Sequence, residues 1–92
     1  MAPASPPAQA SKEAEQLIAR GFGLLSQNDP AGAEAVFRRA IDAQPEVEAA
    51  HRGLGLALQA QEKWDAALRE LQVATRLDPT DADAHYALGL VA

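Results

Sequence analysis

Residues 51–58 read HRGLGLAL, an apolar stretch in which two glycines stand one residue apart. Similar stretches occur at residues 19–26, ARGFGLLS, and at residues 85–92, HYALGLVA. Glycine inside a helix costs about 0.5–1 kcal/mol relative to alanine, so a recurring glycine indicates a specific need. That need is either a glycine-rich loop that holds a phosphate or the close packing of helices.

The three stretches are copies of one repeat. Gly21, Gly55 and Gly89 are spaced 34 residues apart. The same spacing relates further residues: Ala33–Ala67, Phe37–Leu71, Ala40–Ala74, Pro45–Pro79, His51–His85 and Leu54–Leu88. A period of this length is typical of tandem helix–turn–helix repeats.

Start and stop signals predict five helices and no strand. Ser11 is predicted to cap the first helix, which ends at SQNDP, and Asp29 followed by Pro30 starts the second. A third helix is predicted at about 47–61, a fourth follows, and Thr80 or Asp81 caps the fifth. The second helix carries Ala33, Phe37, Ala40 and Ile41 on one stripe, and the fourth carries Trp64, Ala67, Leu68, Leu71 and Ala74.

Composition narrows the function classes. The 92 residues include no cysteine, which excludes disulfides and thiolate chemistry, and the net charge of −5 comes from interspersed acids and bases. This pattern argues against a nucleic-acid partner. No apolar run is long enough to span a bilayer and no secretory signal is present, so we expect no membrane insertion and a cytoplasmic location. Residues 1–11, rich in alanine and proline, are predicted to be a disordered arm.

The residues that could bind a metal or a nucleotide are better explained by structural roles. His51 and His85 occupy equivalent repeat positions about 10 Å apart, too far for one metal ion, so both are predicted to be core histidines. DPTDADAH, residues 78–85, lacks the glycine and the glutamate of a calcium loop. Leu58 stands where a dinucleotide fingerprint needs its third glycine. No nucleophilic constellation occurs, so we expect no enzyme activity, no cofactor and no metal.

The period and its residues resemble the tetratricopeptide repeat. The first unit, 14–47, matches through Leu17, Gly21, Leu24, Ala33, Phe37 and Pro45; the second, 48–81, through Leu54, Gly55, Leu58, Ala67, Leu71 and Pro79; a partial third, 82–92, through Leu88 and Gly89. Arg20 replaces the expected leucine and His51 the usual aromatic residue. The resemblance implies one domain, 12–92, folded as a right-handed α-solenoid of antiparallel helix pairs: two full units plus the first helix of a third.

The resemblance also implies residue roles. Repeat packing is expected from Gly21, Ala33, Phe37, Ala40, Pro45, Leu54, Gly55, Ala67, Leu71, Ala74, Pro79 and Gly89. A concave, largely apolar groove is expected from Ile18, Phe22, Leu25, Arg52, Leu56, Gln59, Tyr86 and Leu90, with Arg52 as its one cation. The positions at which some family members clamp a terminal carboxylate carry Ile18, Phe22, Gly53, Asp83 and Ala87, which form no such clamp.

The expected function is a non-catalytic protein–protein interaction module that binds a peptide or helix. The alternative is a structural or regulatory appendage of a larger enzyme or of a secretion or assembly protein. The unpaired last helix leaves two further alternatives: the chain is a piece of a longer array, or it forms a homo-oligomer through that helix.

Overall fold

Five α-helices make up the part of the chain that the structure describes. The computed structural model describes residues 8–91, with side chains from residue 11 onward. The helices are α1 (Ala8–Ser26), α2 (Pro30–Ala43), α3 (Glu48–Ala60), α4 (Trp64–Leu77) and α5 (Ala82–Val91). No strand occurs among these residues. The predicted all-α class is therefore confirmed, while the right-handed curvature of the solenoid stays a prediction.

The first helix begins earlier than predicted. α1 starts at Ala8 rather than at Ser11, so the last residues of the predicted arm are helical. Alanine has the highest helix propensity, and the alanines that follow Pro7 extend the helix backwards by about one turn. The rest of the predicted arm, residues 1–7, lies outside the described residues.

Polar caps start two of the later helices. Asp29 Oδ1 accepts a hydrogen bond from the Gly32 amide at 3.0 Å, and Pro30 is the first residue of α2. At α5, Asp81 Oδ1 accepts from the amides of Asp83 and Ala84 at 2.9 and 3.3 Å. Of the two candidate caps, Asp81 is therefore the one that caps this helix.

The turn inside each helix pair has the same backbone geometry twice. Asn28 and Glu62, which are 34 residues apart, both adopt φ of 61°. The amide of the following residue turns back to the preceding helix: Asp29 donates to the Leu24 carbonyl at 2.8 Å and Lys63 to the Leu58 carbonyl at 2.9 Å. This left-handed C-terminal turn reverses the chain and brings the next helix back alongside.

Each helix packs against the next one along the chain, and α3 also contacts α1 and α5. One buried cluster contains Ala33, Phe37, Leu54, Ala57, Leu58 and Ala67. A second contains Leu17, Val36, Ala40 and Ala50. The small residues let the helix axes approach closely, and the leucines and Phe37 fill the space around the crossings.

Glycines create the space for the largest core side chains. A Cβ placed at Gly21 would lie 2.6 Å from the Phe37 ring, and one at Gly53 would lie closer still. A Cβ placed at Gly55 would lie 2.6 Å from Leu71 Cγ. Gly21 and Gly55 are repeat equivalents, as are Phe37 and Leu71, so the same contact occurs in both pairs. Gly53 serves the interface between the pairs, a role that the sequence did not suggest.

Pro45 and Pro79 are exposed and lie between one helix pair and the next. Three residues expected on packing faces lie at the surface. Trp64 is 48% exposed, since it is the first residue of α4 and projects at the helix end. Gly89 and His85 are also exposed, because no described helix lies against their side of α5. The prediction of a core histidine holds for His51, which is 8% exposed, and is wrong for His85.

Candidate peptide-binding groove

The eight residues expected to line a groove lie on three helices. Ile18, Phe22 and Leu25 belong to α1, Arg52, Leu56 and Gln59 to α3, and Tyr86 and Leu90 to α5. Within each helix the spacing of three or four residues keeps them on one stripe. None of the eight is buried: Tyr86 is 71% exposed, Leu90 is 57% exposed, and the other six are half-buried. A ligand could therefore reach all three stripes.

Phe22 and Arg52 connect the first two stripes directly. The Arg52 guanidinium carbon lies 5.5 Å from the centre of the Phe22 ring, within the range of a cation–π interaction. Phe37 also contacts Phe22, and the two ring centres lie 5.0 Å apart in an edge-to-face arrangement. Because Phe37 is fully buried, it holds Phe22 in a fixed position beside Arg52.

Arg52, the one cation expected in the groove, is engaged in two ion pairs. Its guanidinium pairs with Asp81, which precedes α5, and with Glu48 Oε1 at 3.4 Å. Since Asp81 also caps α5, Arg52 links the stripe on α3 to the start of α5. The Asp81 carboxylate offsets the positive charge, so the stripes of α1 and α3 present apolar surface rather than an anion site.

Among the three charged residues Arg52, Asp81 and Glu48, Glu48 has a strongly raised pKa. Burial, together with a hydrogen bond to Asp81, raises its pKa from 4.5 to about 7, although Arg52 opposes the shift. That hydrogen bond lowers the pKa of Asp81, and Arg52 and the Ala84 amide lower it further. Oε2 of Glu48 is buried and receives no hydrogen bond from the described residues. A proton retained on this carboxyl and donated to Asp81 accounts for both observations.

Sequence reasoning missed Glu48 and assigned Asp81 only a capping role. A signal for Glu48 was present, because Glu48 and Arg52 are four residues apart on one helix. The pairing of Arg52 with Asp81 had no such signal, since it joins residues 29 positions apart. Only the packing of α3 against α5 brings these two side chains together.

Gln59 adds an unsatisfied polar atom to the stripe of α3. Its Oε1 is buried and has no hydrogen-bond donor among the described residues. A buried acceptor without a partner costs about 1–3 kcal/mol. Gln59 as a residue is half-buried, so other atoms of it lie at the surface.

His51 links α3 to the turn before it and to α4. Its Nε2 donates to the Pro45 carbonyl at 2.7 Å, and its Nδ1 lies 2.9 Å from Glu70 Oε1 on α4. Within residues 8–91 no group of three or more histidine, aspartate or glutamate side chains is placed to hold a metal ion. None of the described helices has the length and hydropathy needed to cross a membrane.

The fold and this surface define a helical-repeat protein built from 34-residue helix pairs. A family model described as tetratricopeptide repeat matches residues 24–91. The chain therefore belongs to the tetratricopeptide repeat family, whose members are generally protein–protein interaction modules. A comparison with curated proteins gave no significant match.

Proposed function

We propose that this chain is a non-catalytic binding module that takes an amphipathic helix or an extended apolar segment of a partner protein. The ligand lies across α1, α3 and α5, on the surface formed by Ile18, Phe22, Leu25, Arg52, Leu56, Gln59, Tyr86 and Leu90. The observation that carries the proposal is the exposure of large apolar side chains on this surface, above all Tyr86 and Leu90. Exposed apolar surface of this kind is typical of interaction sites.

The chemistry of the surface favours a polypeptide ligand. Aromatic residues contribute a large contact area, and Tyr86 also offers a hydroxyl group for hydrogen bonding. Arg52 is held over Phe22 by Asp81 and Glu48, and Asp81 offsets its charge. These features together match a helix or strand that presents apolar residues with a few hydrogen-bond donors.

The test selects peptides from a displayed random library against the full chain and measures the affinity of the best peptide for variants. Tyr86→Asp and Leu90→Asp should each reduce affinity at least tenfold, because each places a charge in the apolar surface. Trp64→Asp is the matched control, since Trp64 is also a large exposed residue but lies on α4. It should leave the affinity unchanged.

Circular dichroism would verify that all three variants keep the helical content of the parent. If the selected peptides bind Tyr86→Asp and Leu90→Asp as tightly as the parent and lose affinity for Trp64→Asp, the binding surface is on α4 and the proposal fails.

A further inference from the structure

The groove surface has negative charge along one of its edges. On each of the three groove helices, the residue three positions before the first groove residue continues the same stripe. These residues are Glu15, Ala49 and Asp83, which are spaced 34 residues apart. Glu15 and Asp83 are exposed, and Ala49 between them is half-buried. We call this row of three residues the acidic edge.

The opposite edge of the groove is apolar. Phe22, Leu56 and Leu90 are repeat equivalents as well, and each lies seven residues after a member of the acidic edge on the same helix. At the rise of an α-helix, seven residues separate the two edges by about 10 Å. This separation is close to the diameter of an α-helix with its side chains. A single helix lying across α1, α3 and α5 therefore touches both edges.

The charges of the acidic edge are not neutralised within the described part of the chain. Arg52, the base between the two edges, pairs with Asp81 and Glu48. Glu15 and Asp83 take part in none of the ion pairs among the described residues. Asp83 is also not the cap of α5, because Asp81 accepts the hydrogen bonds from the first amides of that helix. Both carboxylates are therefore available to a ligand.

The arrangement of the helices sets the spacing of the two charges. α3 contacts both α1 and α5, so it separates the helix that carries Glu15 from the helix that carries Asp83. Two steps between packed helix axes amount to about 16–20 Å. An α-helix covers that length with about 11–13 residues.

We propose that the groove binds a basic amphipathic helix of a partner protein, with its apolar stripe on Phe22, Leu56 and Leu90 and two lysine or arginine residues opposite Glu15 and Asp83. The two basic residues lie about 11–13 positions apart along one border of the stripe. This inference rests on the proposed groove function and narrows the class of ligand. The formal net charge of −5 favours it, because an acidic chain attracts a cationic partner before contact.

Two synthetic helical peptides of about 18 residues provide the probes. Both carry the same leucine stripe, and they differ only at the two border positions, which hold lysine in one peptide and glutamate in the other. In fluorescence anisotropy with the full chain at low salt, the lysine peptide should bind about tenfold more tightly. At about 1 M salt this preference should fall below about twofold, because ions screen exposed charge pairs.

Charge reversal in the chain should reverse the preference. The double variant Glu15→Lys with Asp83→Lys should bind the glutamate peptide more tightly than the lysine peptide. The matched control is Glu13→Lys with Asp42→Lys, which changes the net charge equally at exposed positions outside the groove stripes. Glu13 lies only two residues from Glu15 but on a different face of α1. This control should keep the preference of the parent, and circular dichroism would verify the helical content of both variants.

Equal affinity of the parent for the two peptides, or tighter binding of the glutamate peptide, would overturn the role of the acidic edge. So would a lysine peptide that does not bind at millimolar concentration, or a control variant that reverses the preference as the edge variant does. If the parent binds both peptides equally and Leu90→Ala weakens both, the acidic edge has no role and the proposed groove function stands.

Discussion

Gly55 faces Leu71 so closely that a single added carbon at Gly55 would lie 2.6 Å from Leu71 Cγ. The close packing of α3 against α4 therefore requires a residue without a side chain at this position of α3. Leu71 is fully buried. The glycine that is unfavourable for helix formation is thus required by the packing.

This relationship predicts opposite effects for two glycine-to-alanine changes. Gly55→Ala should lower the free energy of unfolding by about 1–3 kcal/mol, because it overpacks the core. Gly23→Ala should raise it by about 0.5–1 kcal/mol, because alanine favours the helix and no described atom lies within 4 Å of the new methyl group. Urea denaturation followed by circular dichroism measures both. Two changes of the same sign would contradict the packing role of Gly55.

The His51–Glu70 pair should be replaceable by the apolar pair of the first repeat. His51→Leu alone leaves the Glu70 carboxylate half-buried without its partner, and Glu70→Val alone removes the partner of Nδ1, so each should cost about 1–3 kcal/mol. The double variant should recover at least half of the summed loss, because Leu17 and Val36 already pack together in the first repeat. Thermal unfolding of all four proteins completes the cycle. Purely additive losses would show that the two side chains do not depend on each other.

The residues Glu62 and Asn28, which adopt the same left-handed conformation in the two turns, should respond differently to replacement by glycine. Glu62 has φ of 61°, a conformation that costs a residue with a Cβ about 1–2 kcal/mol, and Asn28 has the same φ. Glu62→Gly should therefore raise the free energy of unfolding by up to about 1 kcal/mol. Asn28→Gly is the matched control and should gain less, because asparagine tolerates this conformation better than glutamate. A larger gain at Asn28 than at Glu62 would be inconsistent with this explanation.

Glu48 should give the protein a pH-dependent stability. Its pKa is raised from 4.5 to about 7 in the folded state, so the folded chain holds the proton more tightly than the unfolded chain. The free energy of unfolding should accordingly be highest below pH 4.5, fall as the pH rises to about 7, and stay level above that. The lowered pKa of Asp81 acts below 3.8, outside this window.

Glu48→Gln should remove the fall, because an amide does not titrate. At pH 8 the variant should be more stable than the parent by about 1–3 kcal/mol, and at pH 4.5 the two should be nearly equal. Urea titrations at the two pH values measure the difference. Glu46→Gln, at an exposed neighbouring position, is the control and should follow the parent. An unchanged pH dependence in Glu48→Gln would contradict the retained proton.

The sequence by itself determined the repeat, because a helix pair that packs on its own copy imposes the same small and large residues every 34 positions. Helix type, order and turns followed from local signals such as Asp29–Pro30 and the spacing of Ala33, Phe37 and Ala40. These signals act within one helix or one turn, so no knowledge of distant contacts was needed.

Only the tertiary structure decided whether residues at the same repeat position are buried and which partners they contact. His51 and His85 occupy the same repeat position, yet one is buried beside Glu70 and the other is exposed, because a helix lies against α3 and none of the described helices lies against that side of α5. Likewise the ion pair between Arg52 and Asp81 forms only because α5 packs beside α3. Burial and ion pairing depend on neighbours from distant parts of the chain, and a local pattern does not contain them.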